Sequence, residues 1–219
     1  MVNLAINGIG RIGKLVLKLL LSKNFNVKYL NELNGNTNSL IHSIEFDSIH
    51  GKWQANIEEG KDEIKIDGKS IKATFVENII DLSLDDVDIM IDCTGVYKST
   101  AKLQKYFDKG VKKVIVSAPI NEDNIVNIAY GVNHNIYKPK EHNIITGASC
   151  TTNCIAPIIK VLHENIGINH GSITTIHNLT NSQTLVDIPH NDLRRGRSAI
   201  NNLIPTTRGS AKALSLIHI

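Results

Sequence analysis

The cysteine at position 150 is the residue whose place in the sequence most favours nucleophilic chemistry. It follows the apolar run 143–146 and begins a segment with helical spacing that extends to about Asn165. The positive end of a helix dipole and the free backbone amides there lower the pKa of a thiol and raise its thiolate fraction. Cys150 is therefore predicted to be a nucleophile.

The other two cysteines have simpler interpretations. Cys154 comes one helical turn after Cys150 and is predicted to face the interior as a small apolar residue. Cys93 ends an apolar run and is predicted to lie in the core. The spacing Cys150-x-x-x-Cys154 resembles a metal pair, but no second cluster of Cys or His at ligand spacing accompanies it, so no metal site is expected.

A cysteine nucleophile also needs a base that serves as its ion-pair partner, supplied from elsewhere in the sequence. The chain contains nine histidines, and most of them are expected to be surface or capping residues. His177 ends the apolar segment 172–176, which is rich in β-formers and predicts a strand. Position alone does not select His177 from the other eight.

A second kind of chemistry is indicated by Gly8, Gly10 and Gly13, which lie between the first apolar run and the first helical pattern. This Gly-x-Gly-x-x-Gly spacing lets the backbone turn tightly and approach a pyrophosphate, whose charge the helix amides offset. Glu32 stands at the end of the second run, where an acidic residue binds ribose hydroxyls and would repel a 2′-phosphate. NAD is therefore predicted rather than NADP. A plain helix-packing turn remains open as the alternative role of the glycines, and a solvated strand end as the alternative role of Glu32.

The elements that must position these residues alternate between strands and helices. Residues 52–75 instead alternate apolar and polar side chains around Asp67-Gly68, which predicts antiparallel strands joined by a tight turn. The alternation elsewhere predicts an α/β fold with a Rossmann-type, doubly wound, mostly parallel sheet. The predicted strands are 2–7, 26–31, 88–93, 113–117 and 143–146, and the predicted helices are 10–22, 37–46 and 98–109.

The character of the sequence changes near Ser149. Residues 1–149 are predicted to be an NAD-binding domain, and residues 150–219 the first part of an α+β catalytic domain. Residues 180–208 are long, polar and irregular for a connection, which is more typical of a functional loop than of an idle one. For Arg194, Arg195 and Arg197 in this loop, anion binding is a better interpretation than a nucleic-acid patch.

Composition and charge narrow the class of protein. The 24 basic and 21 acidic residues are interspersed and give a net charge of +3, which does not indicate a nucleic-acid or membrane partner. Three cysteines do not suggest a disulfide framework, and no signal peptide is visible, so the expected location is the cytoplasm. The most apolar run, 15–21, contains Lys18 and is too short to span a bilayer.

Taken together, these motifs resemble the glyceraldehyde-3-phosphate dehydrogenase family from the first strand to about residue 213. The segment 148–154, Ala-Ser-Cys-Thr-Thr-Asn-Cys, is similar to the nucleophile signature of that family and is highly specific. Further segments that match are 6–13, 46–51, 93–97, 117–119, 131–134, 174–177 and 192–197.

The resemblance implies a role for each matching residue. Cys150 would attack the aldehyde and His177 would pair with it. Ser149 and Thr151 would hold inorganic phosphate, while Thr180 and Arg195 would hold the phosphate of the substrate. Arg208 and Gly209 are also predicted to bind phosphate. The residues implied to contact NAD are Asn7, Gly8, Gly10, Arg11, Ile12, Gly13, Glu32, Thr94, Gly95 and Ser117. The implied enzyme is a cytoplasmic homotetramer that oxidises glyceraldehyde 3-phosphate to 1,3-bisphosphoglycerate.

Two features depart from the pattern of the family. Arg208 stands where the family usually has a threonine that helps to bind phosphate, so the role of that subsite is open. The family also continues beyond Ile219, and residues 214–219 resemble the translation of a transposon-adapter sequence rather than the family. We therefore expect the 219-residue chain itself to be weakly active or inactive.

Two other functions remain open on the sequence. Erythrose-4-phosphate dehydrogenase uses the same thiol chemistry, and segments 31–33 and 92–97 favour it, whereas Thr180 and Ile188-Pro189 favour glyceraldehyde 3-phosphate. A catalytically inert NAD-binding fragment is the alternative from a different class.

Overall fold

The computed structural model describes residues 1–206. They divide into two compact units, the first ending at Ser149 and the second beginning at Cys150. None of the helices in the described part of the chain is both long and apolar enough to cross a bilayer.

The first unit contains eleven strands and three α-helices. The helices are α1 (Arg11–Ser22), α2 (Thr37–Glu45) and α3 (Thr100–Phe107). The strands are β1 (Asn3–Asn7), β2 (Asn26–Asn31), β3 (Phe46–Asp47), β4 (Gly51–Lys52), β5 (Ile57–Gly60), β6 (Glu63–Ile66), β7 (Lys69–Thr74), β8 (Ile89–Asp92), β9 (Lys113–Val116), β10 (Val126–Asn127) and β11 (Ile144–Thr146).

Nine of these strands form one sheet in the order β10-β11-β9-β8-β1-β2-β7-β6-β5. Pairing is parallel from β10 to β7 and antiparallel from β7 to β5, and the Asp67-Gly68 turn joins β6 to β7. The predicted α/β class with a mostly parallel sheet is therefore confirmed. Because parallel strands end at the same edge, the carboxyl ends of β1, β2 and β8 bring Asn7, Asn31 and Asp92 side by side.

The core of this unit consists of two clusters on opposite faces of the sheet. Neighbouring residues of β1 divide between them, Ala5 in one and Ile6 in the other, because successive side chains of a strand point to opposite faces. The first cluster includes Tyr106 of α3, and the second includes Leu17 of α1. Helices therefore cover both faces, which leaves the edge formed by the strand ends as the place for a ligand.

The second unit begins with helix α4 (Cys150–Asn165), whose bounds agree with the prediction. The prediction that Cys154 faces inward is wrong, because its side chain is exposed. The buried residues of α4 are Thr151, Thr152 and Ala156. Cys154 lies about 160° around the helix from Thr152 and Ala156 and about 60° from Thr151, so it is beside the buried face and not on it.

The predicted strand over 172–176 is also wrong, since these residues form no regular secondary structure. A strand requires a neighbour to pair with its backbone amides and carbonyls, and the described residues of the second unit contain no strand. The β-propensity of the segment is therefore not realised here. The long connection from residue 180 to residue 206 is irregular, as predicted, and is closed internally by Ile188 N–H donating to Gly196 O at 2.9 Å.

Candidate active site

The glycine loop between β1 and α1 packs tightly against the segment that follows β8. Gly8 has a φ of +87°, and its N–H donates to Asn31 O at 2.8 Å. A methyl group on Gly8 would lie 2.8 Å from Thr94 N, and one on Gly13 would lie 1.9 Å from Gly8 O. Both positions therefore require glycine, as the fingerprint predicts.

Gly10, in contrast, lies beside open space, and that space bears on whether a dinucleotide fits. A methyl group there would meet nothing within 4 Å. Gly10 is also the N-cap of α1, with no side-chain cap and no acidic residue in the first turn. The first amides of α1 are thus left without a side-chain acceptor beside open space, which is the arrangement that suits a pyrophosphate.

Glu32 lies directly after β2 and reaches the glycine loop. Its Oε2 accepts a hydrogen bond from Ile9 N–H at 2.7 Å, and its Oε1 accepts from Asn34 N–H at 3.4 Å. A carboxylate accepts through about four lone pairs, so acceptor capacity remains for hydroxyl groups. The position and the charge of Glu32 fit a ribose that carries free hydroxyls.

The side chain of Arg11 is held by a residue that the sequence analysis missed. Its Nη1 lies 2.6 Å from Asp47 Oδ2, which Lys14 Nζ also approaches at 2.8 Å. The pKa of Asp47 lies well below its usual range, mainly because of the hydrogen bond from Arg11. Hydrogen bonds from Lys14 and from the amides of His50 and Ile49 lower it further, although burial opposes them. The guanidinium therefore pairs with Asp47, while Ile12 beside it is 47% exposed. The matching segment 46–51 was the signal for Asp47.

The remaining predicted cofactor residues lie at the ends of β1, β8 and β9. Thr94 donates to Asp92 Oδ1 through both its amide and its hydroxyl, at 3.1 and 2.8 Å, and Gly95 is exposed. Ser117 is half-buried, and its N–H donates to Asp92 O at 2.9 Å. Asn7 differs from them because its side chain is buried and bonded to other side chains of the unit.

Cys93 is half-buried beside this edge. Burial raises the pKa of its thiol to about 11, a hydrogen bond with Ser117 opposes the rise, and the charge of Asp92 adds to it. The thiol of Cys93 therefore remains protonated near neutral pH, unlike an activated cysteine.

In the second unit, the structure brings Cys150 and His177 together. Cys150 Sγ lies 3.2 Å from His177 Nε2, and His177 Nδ1 lies 2.7 Å from Asn178 O. A carbonyl can only accept, so Nδ1 carries a proton and Nε2 faces the sulfur. Burial would raise the pKa of Cys150, but hydrogen bonds with His177 and Thr151 and the charge of His177 outweigh it, so the pKa lies below its usual value.

The residues predicted to hold phosphate are placed as follows. Thr151 is buried with its hydroxyl 4.0 Å from Cys150 Sγ, and Ser149 is the half-exposed last residue of the first unit. Thr180 Oγ1 lies 2.9 Å from Ser182 Oγ, to which Arg195 Nη1 donates at 3.3 Å. Ser182 thus links the two predicted substrate-phosphate residues, and nothing in the sequence pointed to it.

Arg195 has two further contacts. Its Nη2 donates to Thr206 Oγ1 at 2.9 Å, and its Nε lies 3.5 Å from Asp192 Oδ2. Arg208 and Gly209, also predicted to bind phosphate, lie outside the described residues.

Among residues 1–206, no group of three or more His, Cys, Asp or Glu side chains is arranged to hold a metal ion.

Comparison with known proteins matches a segment of each unit to a domain of one family. The family model for the NAD binding domain of glyceraldehyde 3-phosphate dehydrogenase matches residues 2–100, and the model for its C-terminal domain matches residues 149–218. Relatives named glyceraldehyde-3-phosphate dehydrogenase are 44% identical in Nostoc sp., 43% in Thermotoga maritima and 41% in Bacillus subtilis. Each comparison covers 99% of this chain.

The same comparisons cover 65% of the length of the Nostoc and Bacillus relatives and 66% of the Thermotoga relative. The first unit therefore contains the family's NAD binding domain, and NAD is the cofactor that its open glycine loop and Glu32 fit. On these matches to both domains, the chain belongs to the glyceraldehyde-3-phosphate dehydrogenase family.

Proposed function

We propose that the protein carrying this chain catalyses the NAD-dependent oxidative phosphorylation of glyceraldehyde 3-phosphate to 1,3-bisphosphoglycerate. The observation that carries the proposal is the 3.2 Å separation of Cys150 Sγ from His177 Nε2 at the N-terminus of α4. The names of the relatives support the choice of reaction.

The first step is addition of the Cys150 thiolate to the aldehyde carbon. A carbon–sulfur bond forms, the carbonyl electrons move to oxygen, and this oxygen takes the Nε2 proton of the His177 imidazolium, which gives a thiohemiacetal. His177 and the backbone amide of Cys150 are the donors that stabilise this oxygen. The lowered pKa of Cys150 supports the step because it raises the thiolate fraction at neutral pH.

The second step is oxidation of the carbon now bound to Cys150. When bound, NAD supplies the acceptor for the hydride that leaves this carbon. His177 Nε2 takes the hydroxyl proton, the carbonyl re-forms, and a thioester remains on Cys150. The contact of Nδ1 with Asn178 O holds the ring so that Nε2 faces the reacting group.

The third step transfers the acyl group to inorganic phosphate. A phosphate oxygen attacks the thioester carbon, the carbon–sulfur bond breaks, and the thiolate of Cys150 is restored. We propose Ser149 and Thr151 as its hydroxyl ligands, since they flank the nucleophile. A thioester conserves the energy of the oxidation, which is why the nucleophile must be sulfur.

The phosphate of the substrate is assigned to Thr180 and Arg195. Both contact Ser182, so a hydroxyl and a guanidinium lie close together in the irregular loop. A guanidinium is well suited to a phosphate because its planar donors match the phosphate oxygens.

The proposal is tested by following NADH formation from glyceraldehyde 3-phosphate, with and without inorganic phosphate. A phosphate-dependent rate supports it. A rate that is equal without phosphate and larger with erythrose 4-phosphate would favour erythrose-4-phosphate dehydrogenase instead. If the protein binds NAD but Cys150 shows the alkylation profile of a free thiol, the chain is an inert NAD-binding module.

We also propose a homotetramer in the cytoplasm. The second unit exposes large apolar side chains in its irregular loop, which favours contact with another subunit. They include Leu185 at 62%, Leu193 at 83% and Leu203 at 94% exposure. Light scattering on the protein eluting from a sizing column tests this assembly, and a monomer at micromolar concentration would contradict it.

A further inference from the structure

A continuous line of hydrogen bonds crosses the carboxyl ends of four neighbouring strands in the first unit. Thr74 Oγ1 donates to Asn31 Oδ1 at 2.9 Å, and Asn31 Nδ2 donates to Asn7 Oδ1 at 2.8 Å. Asn7 Nδ2 donates to the Tyr106 hydroxyl at 2.6 Å, which in turn donates to Asp92 Oδ2 at 2.7 Å. These five residues are called the strand-end network below.

Four members of the strand-end network are almost completely buried. Tyr106 and Asp92 are each 0% exposed, Asn7 is 3% exposed and Asn31 is 6% exposed. Within residues 1–206, no buried side-chain nitrogen or oxygen lacks a hydrogen-bond partner. A buried polar network in which every group is hydrogen-bonded favours one arrangement over others, because any displacement leaves a polar group without a partner and away from water.

The strand-end network lies directly beneath the segments that form the cofactor site. Gly8 follows Asn7 and Glu32 follows Asn31 in the sequence. Asp92 accepts from both the amide and the hydroxyl of Thr94. Each of the three segments is thus attached to one member of the network.

Only Tyr106 enters the network from outside the sheet. It belongs to α3, and its hydroxyl is the one link between Asn7 of β1 and Asp92 of β8 among the side-chain hydrogen bonds of the described residues. The backbone ladder of β1 and β8 ends at the same pair, Asn7 and Asp92. One backbone bond follows that pair, from Cys93 N–H to Asn7 O at 2.7 Å. The Tyr106 hydroxyl adds the side-chain link between the two strand ends, from which the glycine loop and Thr94 continue.

We propose that Tyr106 is a positioning residue of the cofactor site, whose hydroxyl holds the Thr94 segment in place against the glycine loop. The inference rests on the proposed binding of NAD and adds to it a residue that contacts no ligand. A bulky core residue with no role beyond packing would not need the hydroxyl.

The test is Tyr106→Phe, compared with Leu103→Val as a control in the same helix and the same core cluster. Both variants are expected to unfold at lower denaturant concentration. Only Tyr106→Phe is expected to weaken NAD binding, by about tenfold, because it leaves the Asp92 carboxylate short of a donor. Binding is measured by calorimetry on the 219-residue chain.

Amide hydrogen exchange gives a second readout that needs no ligand. Tyr106→Phe is expected to speed exchange at Thr94 N–H by about tenfold. Leu103→Val is expected to speed it by no more than its loss of global unfolding free energy accounts for. Should Tyr106→Phe fail to fold, Thr74→Val removes a hydroxyl at the far end of the network and is expected to weaken NAD binding about threefold.

The outcomes separate this inference from the proposed function. If the unchanged chain binds NAD and Tyr106→Phe binds it equally well, Tyr106 has only a packing role and the inference is overturned. If the unchanged chain does not bind NAD, the proposed function fails and the cofactor role of Tyr106 fails with it. An unchanged exchange rate at Thr94 N–H in Tyr106→Phe also overturns the inference, whatever the affinity of the variant for NAD.

Discussion

At the edge of the sheet in residues 1–149, the polar side chains that support the glycine loop are buried and bonded to one another, as Asn7 and Asp92 illustrate. In the unit that begins at Cys150, the thiol proposed as the nucleophile is exposed, and its partner His177 lies in an irregular segment. The first region therefore derives its geometry from the sheet, whereas the second depends on a few local contacts. Substitutions should accordingly affect the stability of the first region and the chemistry of the second.

The largest expected effect is that of Cys150→Ser on NADH formation by the full-length protein. Loss of the thiolate nucleophile should lower kcat by at least about a thousandfold. The unfolding free energy should change by less than about 0.5 kcal/mol, because the side chain is exposed. Cys154→Ser, in the same helix and also exposed, is the matched control and should retain activity. A loss of stability in Cys150→Ser would break the comparison between the two regions.

The next effect concerns the pH at which Cys150 becomes reactive. Because its pKa is lowered by hydrogen bonds and charge from His177, the alkylation rate should reach half its maximum below the midpoint of a free thiol. His177→Asn removes the imidazole and should move this midpoint to higher pH. Rates of iodoacetamide labelling across pH measure it, with Cys154→Ser present so that one exposed thiol is followed. A midpoint that does not move in His177→Asn contradicts the assigned pair.

Two alanine substitutions in the glycine loop sharpen the comparison within the first unit. Gly13→Ala places a methyl group 1.9 Å from Gly8 O and should destabilise the unit by at least about 2 kcal/mol. Gly10→Ala meets nothing within 4 Å, so it should leave stability unchanged and weaken NAD binding about tenfold by occupying the space over the first turn of α1. Denaturant titration and calorimetry distinguish the two. Equal effects of both variants on stability would show that Gly10 is also packed.

The smallest expected effect is that of Ser182→Ala, which removes the hydroxyl between Thr180 and Arg195. The KM for glyceraldehyde 3-phosphate should rise about threefold with little change in kcat, because the hydroxyl orients groups that bind the substrate and do not react. Ser198→Ala, elsewhere in the same loop, is the control. A fall in kcat alone would place Ser182 nearer to the chemistry than proposed.

Elements with a strong local signal were predicted well from the sequence. Helix α4 has the expected bounds, and the glycine spacing correctly marked two positions that admit no side chain. Both depend on contacts within a short stretch of chain. The β-rich segment 172–176 failed because a strand is stable only beside a partner. Cys154 failed because helical spacing shows which residues share a face but not which face is covered.

The contacts of residues with distant partners were not predicted. Asp47 pairs with Arg11 across 36 positions, and Tyr106 contacts Asn7 across 99. Neither contact leaves a local pattern, since the partners are brought together only when the strands assemble. Ser182 was missed for a related reason, because a serine in a polar loop looks the same whether or not it bridges two functional side chains.

The sequence by itself determined the kind of chemistry, because the nucleophile motif, the glycine fingerprint and Glu32 each carry their meaning within a few residues. The family resemblance also named His177 as the partner of Cys150, but only the tertiary structure placed the two side chains 3.2 Å apart and joined the ends of two strands through Tyr106. The physical reason is that a hydrogen bond requires its partners within about 3 Å, and separation along the chain does not set that distance.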